Sequence, residues 1–432
     1  MKSILCSLFA IALAATAADK PANWPQWRGP NGDGSAPGER APTTWSDSKN
    51  LKWKLKLPGS GASSPIVWND RVYITSYSGY GAGRGGGNSR DLKRHVVCAD
   101  AKNGKLVWKK EFAPTAAVSQ YGGMGVPEHG YASGTPATDG KALYIFFGTS
   151  GVLALDMTGK KLWQTDVGND SSRKRWGSAT SPILHGDHVF INALQEGHKI
   201  FALHKKTGKE VWSWGPERFD YYQDTYGNPA VVKTATGTEL VLAVNYQVWA
   251  FDAVKGGIKW YADTNVGGSN VSPSILATGE RLFAFGGHRP STGMALRAGG
   301  KDDVSKTHID WTSSRSPYIP SPVHHAGHIY WMDRAGYAIC LNAKTGKEVY
   351  RERLESTGRA PQFYASPVLV DGKIISVSRN AGAFVIEAKP KFKQLAQNVI
   401  ATDRTVFNGS PAVSRGRLFF RSDTHLYCVG AK

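Results

Sequence analysis

Short runs of alternating apolar and polar residues recur along nearly the whole chain. One is "RVYIT", where Val72, Tyr73 and Ile74 suit a half-buried strand, and Asp-Gly, Asn-Asp or Thr-Gly pairs stand between such runs as hairpin turns. Almost no stretch carries a helical period, so the pattern predicts an all-β chain. The runs are also ordered. A Ser-Pro-type start, an apolar pair, a polar turn and an aromatic-rich strand read "SSPIVWNDRVYIT" from residue 63, "TSPILHGDHVFIN" from 180 and "GSPAVSRGRLFFR" from 409. Starts of this kind fall at Pro65, Pro136, Pro182, Pro229, Pro273, Pro322, Pro367 and Pro411. After a first interval of 71 residues, the spacings are 46, 47, 44, 49, 45 and 44.

A second phrase follows most starts, as in "VVCADAKNGKLVWKK", "GVLALDMTGKKLWQT" and "YAICLNAKTGKEVYRE". The near-identical "KKTGKEVW" (205–212) and "AKTGKEVY" (343–350) lie 138 residues apart, three repeat lengths of 46. Two phrases make four short strands per unit, and this period is the mark of a β-propeller. The starts predict an eight-bladed β-propeller of four-stranded antiparallel blades. Only three strands fit after Pro411, and the missing outermost one matches "LKWKLKL" at 51–57. An N-terminal strand is therefore expected to close the last blade, leaving no open edge. Trp53, Trp108, Trp163, Trp212 and Trp260 recur on the outermost strand, where each is expected to bury its ring between neighbouring blades.

Composition narrows the setting. With 432 residues, 41% of them hydrophobic, the chain has ample material for a core. Lys2, the apolar run 4–14 and Ala15-Thr16-Ala17 read as an export signal over 1–18, followed by an irregular arm over 19–49 and a single propeller over 50–432. The apolar run is too short to span a bilayer, so the expectation is an exported, soluble, periplasmic or extracellular protein without a membrane span. Cys98, Cys340 and Cys428 occupy the repeat position held elsewhere by Ala154, Ala202 and Ala250. They are expected to be free buried thiols, since equivalent sites on separate blades lie beyond disulfide reach. The net charge of +19 is spread over turns such as "KNGK" and "KTGK" and forms no basic helix. Nucleic acid is thus not the expected partner; a protein or an acidic polysaccharide is.

The phrases at 154–163, 202–212 and 340–350 resemble the repeat of pyrroloquinoline-quinone-like (PQQ-like) propeller proteins, and "NWPQWRGPNGDG" at 23–34 is similar to the leading arm of exported members. The resemblance implies one of two activities: a quinone-dependent alcohol dehydrogenase, or a non-enzymatic scaffold of the BamB type. Such dehydrogenases hold the cofactor over a tryptophan, under a disulfide between adjacent cysteines, beside a calcium ion bound by acidic and amide oxygens. No two cysteines here are adjacent, and the acids before the prolines are sparse: Glu128, Asp224 and Asp263. The reading is therefore a non-catalytic scaffold with no catalytic residue, metal or cofactor expected. Its alternative is a PQQ-dependent dehydrogenase of reduced form, with calcium.

Two local motifs are set aside. "GAGRGG" at 81–86 matches a phosphate-loop spacing but has no helix behind it, and His324, His325 and His328 fall on a hairpin turn where solvated side chains are expected. What remains is the segment before each innermost strand, which approaches one mouth of the central channel. It carries His129, Tyr131, Arg175, Trp176, Tyr226, Asn228, Asn270, Arg315, Tyr318, Tyr364 and Asn408 as candidate ligand-binding residues. Insertions at 77–94 and 113–131 are candidate recognition loops. The expected protein is a monomer that binds a protein, glycan or small ligand at that mouth.

Overall fold

In the computed structural model the described residues are 23–81, 87–116, 118, 121, 129–171, 174–217, 222, 224–266, 268, 270–287 and 291–431. The strands form eight antiparallel sheets arranged as a ring. Blade 1 comprises Ile66–Trp68, Arg71–Ser78, Lys93–Asp100 and Leu106–Phe112, and the later blades repeat this inner-to-outer order. Blade 4 adds a short fifth strand, Asp302–Asp303, parallel to Ile258–Asp263. Blade 8 consists of Ala412–Ser414, Arg417–Arg421 and His425–Gly430, completed by Leu51–Lys56 from the other end of the chain. Trp53 lies opposite Cys428 in that pairing. Among the described residues no helix is long and apolar enough to cross a membrane.

The seams between blades show why the outer-strand tryptophan recurs. Trp53, Trp108 and Trp163 each lie over a glycine in the next blade's outer hairpin, Gly104, Gly159 and Gly208. Their indole N–H groups donate to turn carbonyls in that hairpin, those of Ala101 (3.1 Å), Met157 (3.2 Å) and Lys205 (2.8 Å). Glycine is required twice over, by its positive φ and by the ring above it. Trp311, which the repeat phrase does not reveal, docks the same way on Gly346 and donates to Ala343. Between blades 4 and 5 the pattern changes. Buried Glu239 takes the Trp260 indole N–H at 2.9 Å and the Gly299 N–H at 3.2 Å, because a longer outer hairpin replaces the Thr-Gly-Lys turn.

Cys98, Cys340 and Cys428 are free and buried, each on the third strand of its blade. His324 stacks on Phe283 and His325 pairs with His328 across the first hairpin of blade 6; the described residues contain no cluster of three metal-ligating side chains. The export signal, Glu128 and most of the "GAGRGG" motif lie outside the described residues.

Candidate functional site

A closed circle of hydrogen bonds lines the channel. Each blade's innermost strand is an edge, and the residue two before it sends its N–H to the side-chain oxygen of its counterpart in the next blade. The chain of donation runs from Ser64 through Thr135, Ser181, Asn228, Ser274, Ser321, Ser366 and Ser410 back to Ser64, at 2.7–3.0 Å. The Ser-Pro signature now has a cause. Proline holds the preceding residue extended and donates nothing itself, so one hydroxyl or amide per blade secures an otherwise orphaned edge. In blade 5 the ring member is Ser274, not Ser272, and Ile275 stands in the proline's place. On that register the uneven spacings of 44 and 49 become 46 and 47.

One mouth of the channel is covered by the chain's own arm. Trp24 exchanges backbone hydrogen bonds with Val67 of blade 1, and the Pro25 carbonyl accepts from Thr138 of blade 2. The Gln26 side chain accepts from Leu184 of blade 3, and Gly34 and Ala36 bracket Leu369 of blade 7. These partners sit at the far ends of the innermost strands, so the arm crosses that end of the ring. Midway it drops Trp27 into the bore, where the indole N–H reaches the Ser274 hydroxyl at 3.2 Å. Buried Arg28 anchors the crossing by donating to the Ser321, Pro322 and Asp33 carbonyls.

The opposite mouth opens into a cup of about 210 Å³ with Trp27 on its lining. Ring residues Ser181, Asn228, Ser274, Ser321, Ser366 and Ser410 form its wall, and His129, Trp176, Tyr226, Tyr318, Tyr364 and Asn408 its rim. Trp176 and Tyr226 lie nearly parallel with centroids 6.0 Å apart, and the Lys174 ammonium sits 4.6 Å from the Trp176 ring. The Tyr226 hydroxyl donates to Asp224 at 3.0 Å. Arg379 stacks over Tyr364 at 4.3 Å and donates to Asn408 at 2.9 Å. His129 donates from Nε2 to the Trp176 carbonyl at 2.7 Å and meets the Ser133 hydroxyl through Nδ1 at 2.6 Å. Burial pushes its pKa down to about 4, so it is neutral at neutral pH. Arg334 lines the cup with no hydrogen bond or ion pair to the described residues. The wall is therefore rich in hydroxyls and amides, the rim is aromatic, and among the described residues Lys174, Arg334 and Arg379 stand at it against the carboxylate of Asp224.

The cup gathers seven of the sequence-named residues: His129, Trp176, Tyr226, Asn228, Tyr318, Tyr364 and Asn408. Four stand elsewhere. Tyr131 is buried in an aromatic cluster, 4.2 Å from Tyr121 and 5.7 Å from Tyr77. Arg175 is exposed beside Trp176, and Asn270 sits behind the wall, donating to Ser272 at 2.8 Å. Arg315 pairs with Glu348 of the next blade at 2.5 Å, on the flank of the ring. Trp27 and Arg334 were not legible as site residues. Trp27 belongs to the arm and Arg334 to a hairpin two strands from the bore, so neither shares the repeat position that marks the others.

Among the described residues the cup does not offer a quinone–calcium site of the kind the resemblance implies. No carboxylate lines it among the described residues, Asp224 is engaged by Tyr226 and Lys174, and Asp263 is held by Gln247 on an outer strand. No disulfide covers it either, since the three described cysteines sit within blades. What the described residues share with such a site is tryptophan, Trp27 and Trp176, and the amide oxygens of Asn228 and Asn408.

Comparison with known proteins agrees with this architecture. Residues 148–303 match the family described as outer membrane protein assembly factor BamB. BamB of Salmonella typhimurium is 24% identical over 196 residues, 44% of this chain and 45% of that protein. A polyvinylalcohol dehydrogenase from Pseudomonas sp. is 28% identical over 153 residues, 35% of this chain and 20% of that protein. The chain thus aligns with less than half the length of either. Among solved structures, BamB from Moraxella catarrhalis superposes with a TM-score of 0.58 at 13% identity, covering 88% of this chain and 99% of that one. A europium-containing methanol dehydrogenase superposes with a TM-score of 0.64 at 11% identity, covering 95% and 98%. At such identities the superpositions speak for the fold alone. With its repeat phrase, its eight blades and these likenesses, the chain is an eight-bladed β-propeller that resembles the PQQ-like propeller proteins.

Proposed function

We propose that this is an exported, non-catalytic propeller that captures a segment of a partner protein or a small ligand in the cup. The observation that carries the reading is a channel sealed at one end by Trp27 and the arm, and ringed at the other by half-buried aromatics above a wall of hydroxyls and amides. Such a surface offers contact area and hydrogen bonds, with no carboxylate on its lining among the described residues. A photo-crosslinking residue at position 318 should capture a partner, while one at Asn69, on the arm-covered end, should not. Trp176→Ala and Tyr364→Ala should each weaken capture by about tenfold at unchanged melting temperature. Unchanged capture in both variants overturns the reading.

A quinone-dependent dehydrogenase is the competing reading, favoured by Trp27 as an aromatic floor. Reconstitution with the quinone and calcium, followed by dye-coupled alcohol oxidation, separates the two. Reproducible turnover retires the scaffold.

A further inference from the structure

We infer that a basic strip crossing the seams from blade 8 to blade 3 is a second binding surface, made for an acidic polysaccharide. It is distinct from the cup and does not rest on the reading of the cup. The first and third hairpins of a blade lie at the arm-covered end of the ring, since the third-to-fourth-strand turn hydrogen-bonds the first-to-second-strand turn: Ala101 N–H to Asp70, Lys205 to Asp187, Ala343 to Gly327. In these outer turns the acid that opens the turn is directed inward. Asp100 accepts the Lys102 and Asn103 N–H groups, and Asp156 those of Thr158 and Lys160, so the carboxylates hold the backbone while the lysines face solvent. In blade 3 the acid is replaced by His204. Lys102, Lys105, Lys160, Lys206 and Lys209 are all exposed, and none makes an ion pair with the described residues.

Tryptophan docking makes this a strip rather than scattered charge. Trp53 on Gly104 docks the closing strand of blade 8 against the turn bearing Lys102 and Lys105. Trp108 on Gly159 sets Lys110 across the turn bearing Lys160, and an added Cβ at Gly159 would meet the Lys110 chain at 2.8 Å. Trp163 on Gly208 carries the run on to Lys206 and Lys209. Leu106 and Leu162 stand 53% and 51% exposed within it, offering contact to the non-polar faces of sugar rings. In blades 7 and 5 the outer hairpins are neutralised, Glu387 pairing with Lys389 and Lys393, and Asp310 with Arg281 and Arg297; the blade 6 turn, with Lys344 and Lys347, stands apart from the strip. A linear chain with one carboxylate per sugar matches an array of points repeated at each seam, and counter-ions released from it make binding steeply salt-dependent.

The test titrates the full chain with polygalacturonate and with dextran of matched length, at two salt concentrations. Polygalacturonate should bind, weaken about tenfold or more between low and physiological salt, and outcompete dextran completely. Changing Lys105, Lys160, Lys206 and Lys209 to Gln should weaken it about tenfold, whereas a variant changing Lys344, Lys347, Lys389 and Lys391 to Gln should lose less than about threefold. Equal losses in the two variants mean diffuse charge and overturn the strip. So does absence of binding, and so does tighter binding to phosphatidylglycerol vesicles that polygalacturonate does not displace. Crosslinking at position 318 reads the cup separately and should be the same in both variants.

Discussion

Gly104→Ala tests the seam that closes the ring. A Cβ at this position would lie 2.5 Å from Cδ2 and 2.6 Å from Cε3 of Trp53, and the residue sits at φ +73°. Two costs therefore combine. An alanine held in the left-handed region costs about 1–2 kcal/mol. Forcing a methyl group against a buried ring costs about 1–3 kcal/mol more, because Trp53 must leave its place and give up its hydrogen bond to Ala101. Gly372→Ala is the matched control, since that glycine has φ +65° and nothing within 4 Å of its would-be Cβ. Equilibrium urea unfolding followed by tryptophan fluorescence should show Gly104→Ala destabilised by about 2–5 kcal/mol and Gly372→Ala by about 1–2 kcal/mol. In a Trp53→Leu background the excess cost of Gly104→Ala should disappear, isolating the ring contact. If Gly104→Ala falls within about 0.5 kcal/mol of its control in the native background, tryptophan docking is not what fastens the blades.

Other parts of the molecule make equally direct claims. Glu196 is buried, accepts the Ser178 hydroxyl through one carboxylate oxygen and has no described partner for the other; burial raises its pKa to about 7. A carboxyl whose folded pKa lies above its unfolded value of 4.5 favours folding fully at low pH, and that stability is lost as pH rises from about 4.5 through about 7. Glu196→Gln should flatten this slope and be the more stable form above pH 7, by up to about 3 kcal/mol; an unchanged pH profile refutes it. Arg28→Ala removes the arm's anchor and strands three carbonyls, so stability should fall by about 3 kcal/mol, with faster amide exchange at Gly34 and Ala36; unchanged exchange would show that the backbone contacts hold the arm alone. Burial pushes all three described thiols up to about 12, so Ellman's reagent should leave them untouched until urea unfolds the ring. Rapid labelling of Cys98 in native protein would contradict its placement.

Most of what is periodic was legible in the amino-acid sequence, Trp311 being the exception among the docking tryptophans. The Ser-Pro starts, the Thr-Gly-Lys turns and the outer-strand tryptophans recur because every blade repeats the same local requirements: an edge to secure, a left-handed turn and a ring to seat. The strand around Trp53 was legible by subtraction, as the piece the last blade lacks. Cysteine in the alanine register announced its own burial. What breaks the period depended on tertiary structure. Ser272-Pro273 looked like the ring member of blade 5, yet Ser274 takes the place, because hydrogen bonding to Asn228 and Ser321 sets the register there and not the proline. Tyr131 shares a position with rim residues, but the neighbouring Tyr77, Tyr80 and Tyr121 draw it into the core. Trp27 could acquire its role only when the arm was laid across the ring, since its partner Ser274 is 247 residues away. A repeat encodes its contacts locally and many times over, whereas a cup on the axis is shared by all blades and encoded by none of them.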